Sequence, residues 1–207
     1  MVPDTKKSRL LLAAVSGLLL SLPWFQWHVG WVLLVAFVPL LLIEDFFYEQ
    51  RQSYGSIQVF WYAYLSFFIW NLLTTWWIYF ATDFGAVAAI VLNALFVAVV
   101  FWLAHLVKRH WGRFWGQMAF VFFWIAFEYI YLHGKISWPW LTLGNGFANT
   151  TMLVQWYEYT GILGGSLWVL VANSAIVAVY KNNFWRRAKR TTVFLVLWLL
   201  LPWLWSW

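Results

Sequence analysis

The sequence predicts an all-α fold, a polytopic helix bundle that spans a membrane, and three features support this. Of its 207 residues, 64% are hydrophobic and only 10% are charged, values outside the range of soluble globular domains. Twenty residues are tryptophan, a side chain that collects at the two membrane–water interfaces. The apolar residues also form long runs between short polar connections. We therefore expect a single transmembrane domain over residues 1–207.

Seven apolar runs predict seven helices. They cover residues 9–25, 27–43, 57–79, 85–107, 114–132, 157–180 and 193–207. A span needs about 20 apolar residues, and the third to sixth runs reach that length. The first two are short and predict a tight hairpin that turns at Pro23. No small-residue cleavage site follows the basic Lys6, Lys7 and Arg9, so we expect the first helix to stay uncleaved.

The last run is short and ends abruptly. Its residues provide roughly 22 Å of helix, less than a hydrocarbon core of about 30 Å. Two interpretations stay open at this point. Either Trp203, Trp205 and Trp207 anchor the chain end at the interface, or a larger protein continues beyond it.

The distribution of basic residues predicts the orientation. With a cytoplasmic N-terminus, twelve of the 13 lysines and arginines fall in cytoplasmic connections, and Lys135 falls outside. This asymmetry follows the positive-inside rule, and it places the C-terminus outside. The acidic residues Glu44, Asp45 and Glu49 also fall inside, in the connection after the second run, where they weigh little in that rule. We therefore expect mainly basic anchors at the inner boundary.

Several classes of function are disfavoured. The net charge of +6 is spread in short runs that orient a membrane protein, so we expect no nucleic-acid partner. The chain has no cysteine, which excludes a cysteine nucleophile, and no cluster has metal-ligand spacing, so neither cofactor nor metal is expected. A retinal protein needs a Schiff-base lysine within a span, and none of the seven predicted spans contains a lysine. A rhomboid-type protease needs a serine in a G-x-S-x-G-like motif, which Gly164-Gly165-Ser166 does not supply. A small transporter needs inverted repeats and polar residues across the midplane, and we find few.

Polar and aromatic side chains gather at the predicted outer boundary instead. An ionisable residue in a span is a functional hypothesis by default, although Glu128 could simply pair with Lys135 or bond to a neighbouring helix. His133 could be a solvated interfacial residue. Proline fixes its own φ and restricts its predecessor, so the Trp-Pro-Trp sequence predicts a rigid extended turn that forms either an interfacial belt or an acyl-chain groove. The candidate site comprises Glu128, His133, Trp138, Pro139, Trp140, Trp76 and Trp77.

Other polar and small residues are interpreted as packing features. We expect Asn93 and Asn173 to form hydrogen bonds between helices, and His105 and His110 to lie at the cytoplasmic interface. Two G-x-x-x-G pairs predict close helix packing. These pairs are Gly112 with Gly116 and Gly161 with Gly165.

One ordered set of residues suggests a family. The set runs Glu128, Pro139-Trp140, Gly144, Gln155, Gly161, Gly164 and Asn173. It resembles the membrane domain of the bacterial apolipoprotein N-acyltransferase family. The hairpin Leu20-Ser21-Leu22-Pro23 with Pro39-Leu40-Leu41, and Asn71 with Trp76-Trp77-Ile78, are similar to that family's opening and third helix. Tyr131 stands where the family often has an arginine, and His133 or Lys135 would replace that charge.

The resemblance implies a role in lipoprotein maturation at the bacterial inner membrane. In the family, a nitrilase-like domain with a Glu-Lys-Cys triad follows the seventh helix and takes an acyl chain from a phospholipid as a thioester. It passes the acyl group to the α-amine of a diacylated lipoprotein N-terminus. This chain holds no such domain and no cysteine, so we expect no catalysis by it alone.

Two hypotheses follow from this absence. The first is that the chain is the membrane domain, a fragment or a short relative, that presents both lipid substrates to a catalytic domain. The alternative is a non-enzymatic lipid-binding scaffold, or a partner of a separate nitrilase-like subunit. The reading frame downstream of Trp207 discriminates between them.

Overall fold

The computed structural model describes residues 5–25, 27–134, 138–181 and 189–206, and these residues form helices and turns without a strand. The α-helices are α1 (Lys6–Ser21), α2 (Leu33–Ala36), α3 (Val38–Glu49), α4 (Ile57–Thr75), α5 (Asp83–Trp111), α6 (Arg113–His133), α7 (Tyr157–Lys181) and α8 (Lys189–Trp205). Every predicted apolar run coincides with a helical stretch, which confirms the helical membrane bundle.

Five stretches of the described chain are long and apolar enough to cross a membrane. They are Gly30–Glu49, Ile57–Phe80, Asp83–Trp111, Arg113–His133 and Tyr157–Lys181. The first and last helices are shorter, with 16 and 17 residues. Helix α1 is extended by the 3₁₀ turn Leu22–Trp24, which begins where proline removes a backbone donor.

The second span is broken at Phe37, and a side chain from α7 repairs the break. In a regular helix the Phe37 N–H would bond to the Leu33 carbonyl. Here the Asn173 side chain lies between them: its Oδ1 accepts from Phe37 N at 2.9 Å, and its Nδ2 donates to Leu33 O at 2.8 Å. Asn173 is fully buried. Its predicted interhelical role is confirmed, and it also satisfies backbone groups that hydrocarbon could not.

The core between the helices is rich in aromatic rings. Phe37, Phe67, Phe101, Phe120 and Trp124 contact one another with ring centroids 4.9 to 6.3 Å apart. These residues come from α3's N-terminal side, α4, α5 and α6, so one aromatic cluster joins four parts of the chain. Asn93 of α5 donates to Asn71 Oδ1 of α4 at 2.6 Å beside this cluster. The hydrogen bond predicted for Asn93 is therefore confirmed.

The close helix packing predicted from the two G-x-x-x-G pairs holds for Gly116, which lies against α5, but not for the other three glycines. In each pair one glycine makes a close approach, and the other adopts a positive φ in open space. A Cβ on Gly116 would lie 2.3 Å from Lys108 Cβ, and one on Gly165 would lie 1.7 Å from the Tyr157 hydroxyl. Gly112 and Gly161 instead have φ of 92° and 63° with no atom near. Gly112 forms the corner between α5 and α6, and Gly161 kinks α7.

The bundle has two chemically distinct ends. One is the basic end, where α3, α5 and α7 finish and α4, α6 and α8 begin. The other is the aromatic end, formed by the 3₁₀ stretch Trp76–Phe80, the turns of residues 138–153 and the connection of residues 22–25 and 27–32. Contacts between distant residues hold each end together, such as Lys181 with Glu49 at the basic end and His28 with Asn149 at the aromatic end.

The prediction for the basic end was wrong for the acidic residues and for His105. Glu44 and Asp45 do not lie in a connection but inside α3, where both are buried, and His105 is 1% exposed rather than interfacial. The His105 Nδ1 lies 2.6 Å from Glu44 Oε1, and Lys108 Nζ lies 2.5 Å from Glu44 Oε2. A buried carboxylate is stable only when paired, and these partners explain how the span continues through it.

Asp45 holds the other half of this charge cluster. Its Oδ1 accepts from Lys108 Nζ at 3.1 Å and from Arg113 Nη1, and Lys181 Nζ lies 2.8 Å from Oδ2 in an ion pair without hydrogen-bond geometry. Glu49, half exposed, pairs with the same Arg113 and Lys181 at 2.9 and 3.1 Å. The cluster therefore fastens α3 to α5, α6 and α7. The basic residues here are structural partners as well as topology signals.

Candidate site at the aromatic end

The candidate site is built on the turn that follows α6. The Trp140 ring is 53% exposed and packs edge-on against Trp77, which is 42% exposed, with centroids 5.5 Å apart. The Trp140 carbonyl accepts a hydrogen bond from Trp24 Nε1 at 2.9 Å. The turn, the 3₁₀ stretch Trp76–Phe80 and the first hairpin thus meet at Trp140. Two of the predicted site residues, far apart in sequence, lie in direct contact.

The buried carboxylate of Glu128 binds this turn through a hydrogen bond. Its Oε1 accepts from Trp124 Nε1 at 2.9 Å and from the Leu143 backbone N–H at 2.8 Å. Glu128 is 4% exposed, so the carboxyl group works inside the protein. Lys135, its predicted alternative partner, lies outside the described residues. The other prediction for Glu128 was a bond to a neighbouring helix, and these two bonds instead reach its own helix and the turn at Leu143.

The backbone of the turn is fixed by further hydrogen bonds. Pro139 begins a 3₁₀ turn, and its carbonyl accepts from Thr142 N at 3.2 Å and from Asn145 Nδ2 at 2.6 Å. Gly144 N donates to Ser166 Oγ at 3.0 Å, while Gly144 O accepts from the Tyr157 hydroxyl at 3.1 Å. A proline with these anchors leaves the turn little freedom. The extended shape predicted for this turn is wrong, because the residues form a 3₁₀ turn, and its rigidity stays a prediction.

The remaining candidates take different places. Trp76 is 54% exposed and contacts Phe80 rather than Trp140 among the described ring contacts. His133 is exposed, and its Nδ1 lies 2.9 Å from the Tyr129 carbonyl of its own helix, so it forms an end of α6 rather than a part of the turn. Trp138 is half-buried, with its ring among the residues under the turn.

The sequence interpretation missed several residues of this end. Trp24 and Ser166 each bond to a backbone group of the turn, and Leu143 within the turn donates its own backbone N–H to Glu128. Backbone groups carry no sequence signal, and a serine in an apolar helix gave only a weak one. The exposed rings Phe80 and Phe84, 79% and 85% exposed, were also missed. Their position next to Trp76 and Asp83 was the available signal, because aromatic residues mark the interface.

In chemical terms the site consists of exposed aromatic rings on a turn whose backbone is fixed by buried hydrogen bonds. Within the described residues, no three His, Asp or Glu side chains are arranged to hold a metal ion. The chain also offers no thiol. What the arrangement supplies is an amphipathic surface, in which exposed apolar rings are carried on a backbone fixed by buried polar groups.

These features define a polytopic helical membrane protein that carries exposed aromatic rings at one end of its bundle. A family model described as "Apolipoprotein N-acyltransferase N-terminal domain" matches residues 16–175. The chain belongs to this family, as its sequence predicted. It is 30% identical over 191 residues to the apolipoprotein N-acyltransferase of Chlorobaculum tepidum, a match that covers 90% of this chain and 35% of that protein. The chain thus spans about a third of the length of the curated relative it matches.

Proposed function

We propose that this chain is the membrane domain of an apolipoprotein N-acyltransferase-like protein of the bacterial inner membrane. Its work is to hold the phospholipid acyl donor and the diacylated lipoprotein N-terminus at the outer leaflet for N-acylation. The aromatic end is the surface that receives these lipids. The acyl transfer itself belongs to a nitrilase-like catalytic domain, since this chain supplies no cysteine nucleophile.

One observation carries the proposal: the exposed Trp140 ring, in contact with Trp77, on a turn held by buried Glu128. A half-exposed ring costs free energy in water but not against an acyl chain. A fixed turn also avoids the entropy cost of ordering a loop when the lipid binds. The family membership supports lipid substrates of this class, and the geometry supports the aromatic end as the surface that binds them.

Photo-crosslinking tests where lipid binds. The protein is incorporated into nanodiscs that contain a phospholipid with a photoreactive acyl chain. This lipid should label peptides of residues 76–84 and 138–147 more strongly than other lipid-facing peptides. Addition of a diacylglyceryl-cysteine peptide should reduce this labelling by competition. Labelling that follows general exposure to lipid, without enrichment or competition, would contradict the proposed site.

Acyl transfer tests what the site does. In a protein that joins this domain to a catalytic domain, Trp140→Ala should lower transfer to a diacylated peptide by about tenfold or more, the effect of truncating an aromatic anchor. Trp140→Phe should retain most of the activity. Trp111, 70% exposed at the basic end, is the matched control, and Trp111→Ala should leave transfer unchanged. Equal effects of the two alanine variants would assign Trp140 to interfacial anchoring only.

A further inference from the structure

Beneath the turn, four buried polar atoms have no protein partner among the described residues. They are the indole N–H groups of Trp70 and Trp138 and the oxygens Asn93 Oδ1 and Glu128 Oε2. They come from α4, α5, α6 and the turn, so they are brought together only by the folded bundle. Buried polar groups in folded proteins are nearly always hydrogen-bonded, so four unpaired ones in one place call for an explanation.

The same four residues line one small cavity. Its walls also include Trp124, Tyr131 and Thr142, and its volume of about 10 Å³ suits a single water. Trp124 lies in the wall too, but its N–H already bonds to Glu128 Oε1 at 2.9 Å. Trp124 therefore differs from the four residues whose buried polar atoms form no hydrogen bond among the described residues.

The chemistry of the four atoms selects the ligand. Two are donors and two are acceptors. An ammonium group would leave both indole N–H groups unpaired, and an anion would leave both oxygens unpaired. Water donates two hydrogen bonds and accepts two, so it matches the whole set.

We propose that this cavity binds one long-lived water molecule that joins Trp70, Trp138, Asn93 and Glu128. The water links the Asn71–Asn93 pair within the bundle to the base of the turn that carries Pro139 and Trp140. Trp138 and Glu128 are then positioning residues for the turn. The proposal concerns a structural ligand and stands whether or not the turn binds lipid.

Water contact with indole protons tests it directly. The 207-residue chain, perdeuterated except at exchangeable sites and ¹⁵N-labelled at tryptophan, is studied by NMR, with Trp70 and Trp138 assigned by substitution with phenylalanine. Both indole protons should show water cross-peaks of the sign given by a water bound for longer than molecular tumbling. The Trp124 indole, buried in the same wall but already bonded, is the internal control and should show none.

Two variants make the result decisive. Glu128→Gln keeps the side-chain shape but turns one acceptor toward the cavity into a donor, so the water cross-peaks should weaken severalfold. Val97 lines the cavity, and Val97→Ile adds one methylene to it. With a bound water this variant should lower the thermal midpoint and remove both cross-peaks, whereas filling a dry void should raise the midpoint. Absent water cross-peaks at Trp70 and Trp138, cross-peaks to lipid protons in their place, or a raised midpoint for Val97→Ile would overturn the proposal.

Discussion

Replacement of Asp45 by asparagine should destabilise the bundle strongly, because it removes a buried charge that three cations share. The side chain of Asp45 is 1% exposed, and Lys108, Arg113 and Lys181 all contact it. Breaking a buried ion pair from one side costs about 3–5 kcal/mol. We expect the lower limit, about 3 kcal/mol, because Arg113 is 45% and Lys181 22% exposed, and water screens charges at such positions.

Glu49 provides a matched control because it contacts two of the same cations. Its side chain is 46% exposed, so Glu49→Gln should cost at most about 1 kcal/mol. At roughly 2–4 °C per kcal/mol for a chain of this size, Asp45→Asn should lower the thermal midpoint by about 6–12 °C. Thermal unfolding of both variants in nanodiscs of zwitterionic lipid measures the difference.

Salt separates the two effects further. The Debye length, over which salt screens exposed charges, is about 8 Å in physiological salt and about 3 Å in 1 M salt. Buried ion pairs are screened much less. The small loss in Glu49→Gln should therefore disappear at high salt, and the loss in Asp45→Asn should persist. Equal shifts for the two variants, or equal sensitivity to salt, would refute the assignment of a buried charge cluster.

Three further predictions address packing and orientation. Asn173→Leu leaves Phe37 N–H and Leu33 C=O without their bonds and should cost about 2 kcal/mol in unfolding free energy, whereas Ser174→Ala, at a hydroxyl without a partner among the described residues, should be neutral in the same assay. Gly165→Ala should displace Tyr157 and lower the thermal midpoint, and Gly55→Ala, in open space, should not; the reverse order would contradict the close approach. Because the chain has no cysteine, Ala148→Cys and Ser53→Cys, both exposed, can be labelled singly in intact spheroplasts with an impermeant maleimide. The positive-inside rule predicts that the Ala148 variant reacts from outside and the Ser53 variant does not.

Helix positions were predictable because hydrophobic runs of sufficient length define them. The third to sixth runs differ from α4 to α7 and their 3₁₀ extensions by a few residues at most. The second run was placed too early, ending at residue 43 rather than at Glu49. The reason is physical: Glu44 and Asp45 stopped the apolar run, and their cationic partners Lys108 and Lys181 lie far away in sequence. A composition window registers the charge but not the partner.

The candidate site was predictable in its residues more than in its bonds. Proline and tryptophan specify a turn from local sequence, so Pro139 and Trp140 could be singled out. The contact of Trp140 with Trp77 and the bond from Leu143 N to Glu128 depend on how α4 and α6 pack. The spacing of the glycines was a poor guide to helix packing, because two of the four are needed for their positive φ. Gly112 and Gly161 answer to backbone geometry and not to a neighbouring helix.

The Asn173 side chain, which bonds to both sides of the break in the second span, also sets an order of assembly. Phe37 and Leu33 are synthesised 136 and 140 residues before Asn173, so their hydrogen bonds to this side chain cannot form while the first six helices emerge. Unpaired peptide groups in hydrocarbon cost several kcal/mol each. Until α7 inserts, the early hairpin remains an unfinished intermediate, and a nascent chain that stops before residue 173 should stay recognisable to membrane quality-control proteases.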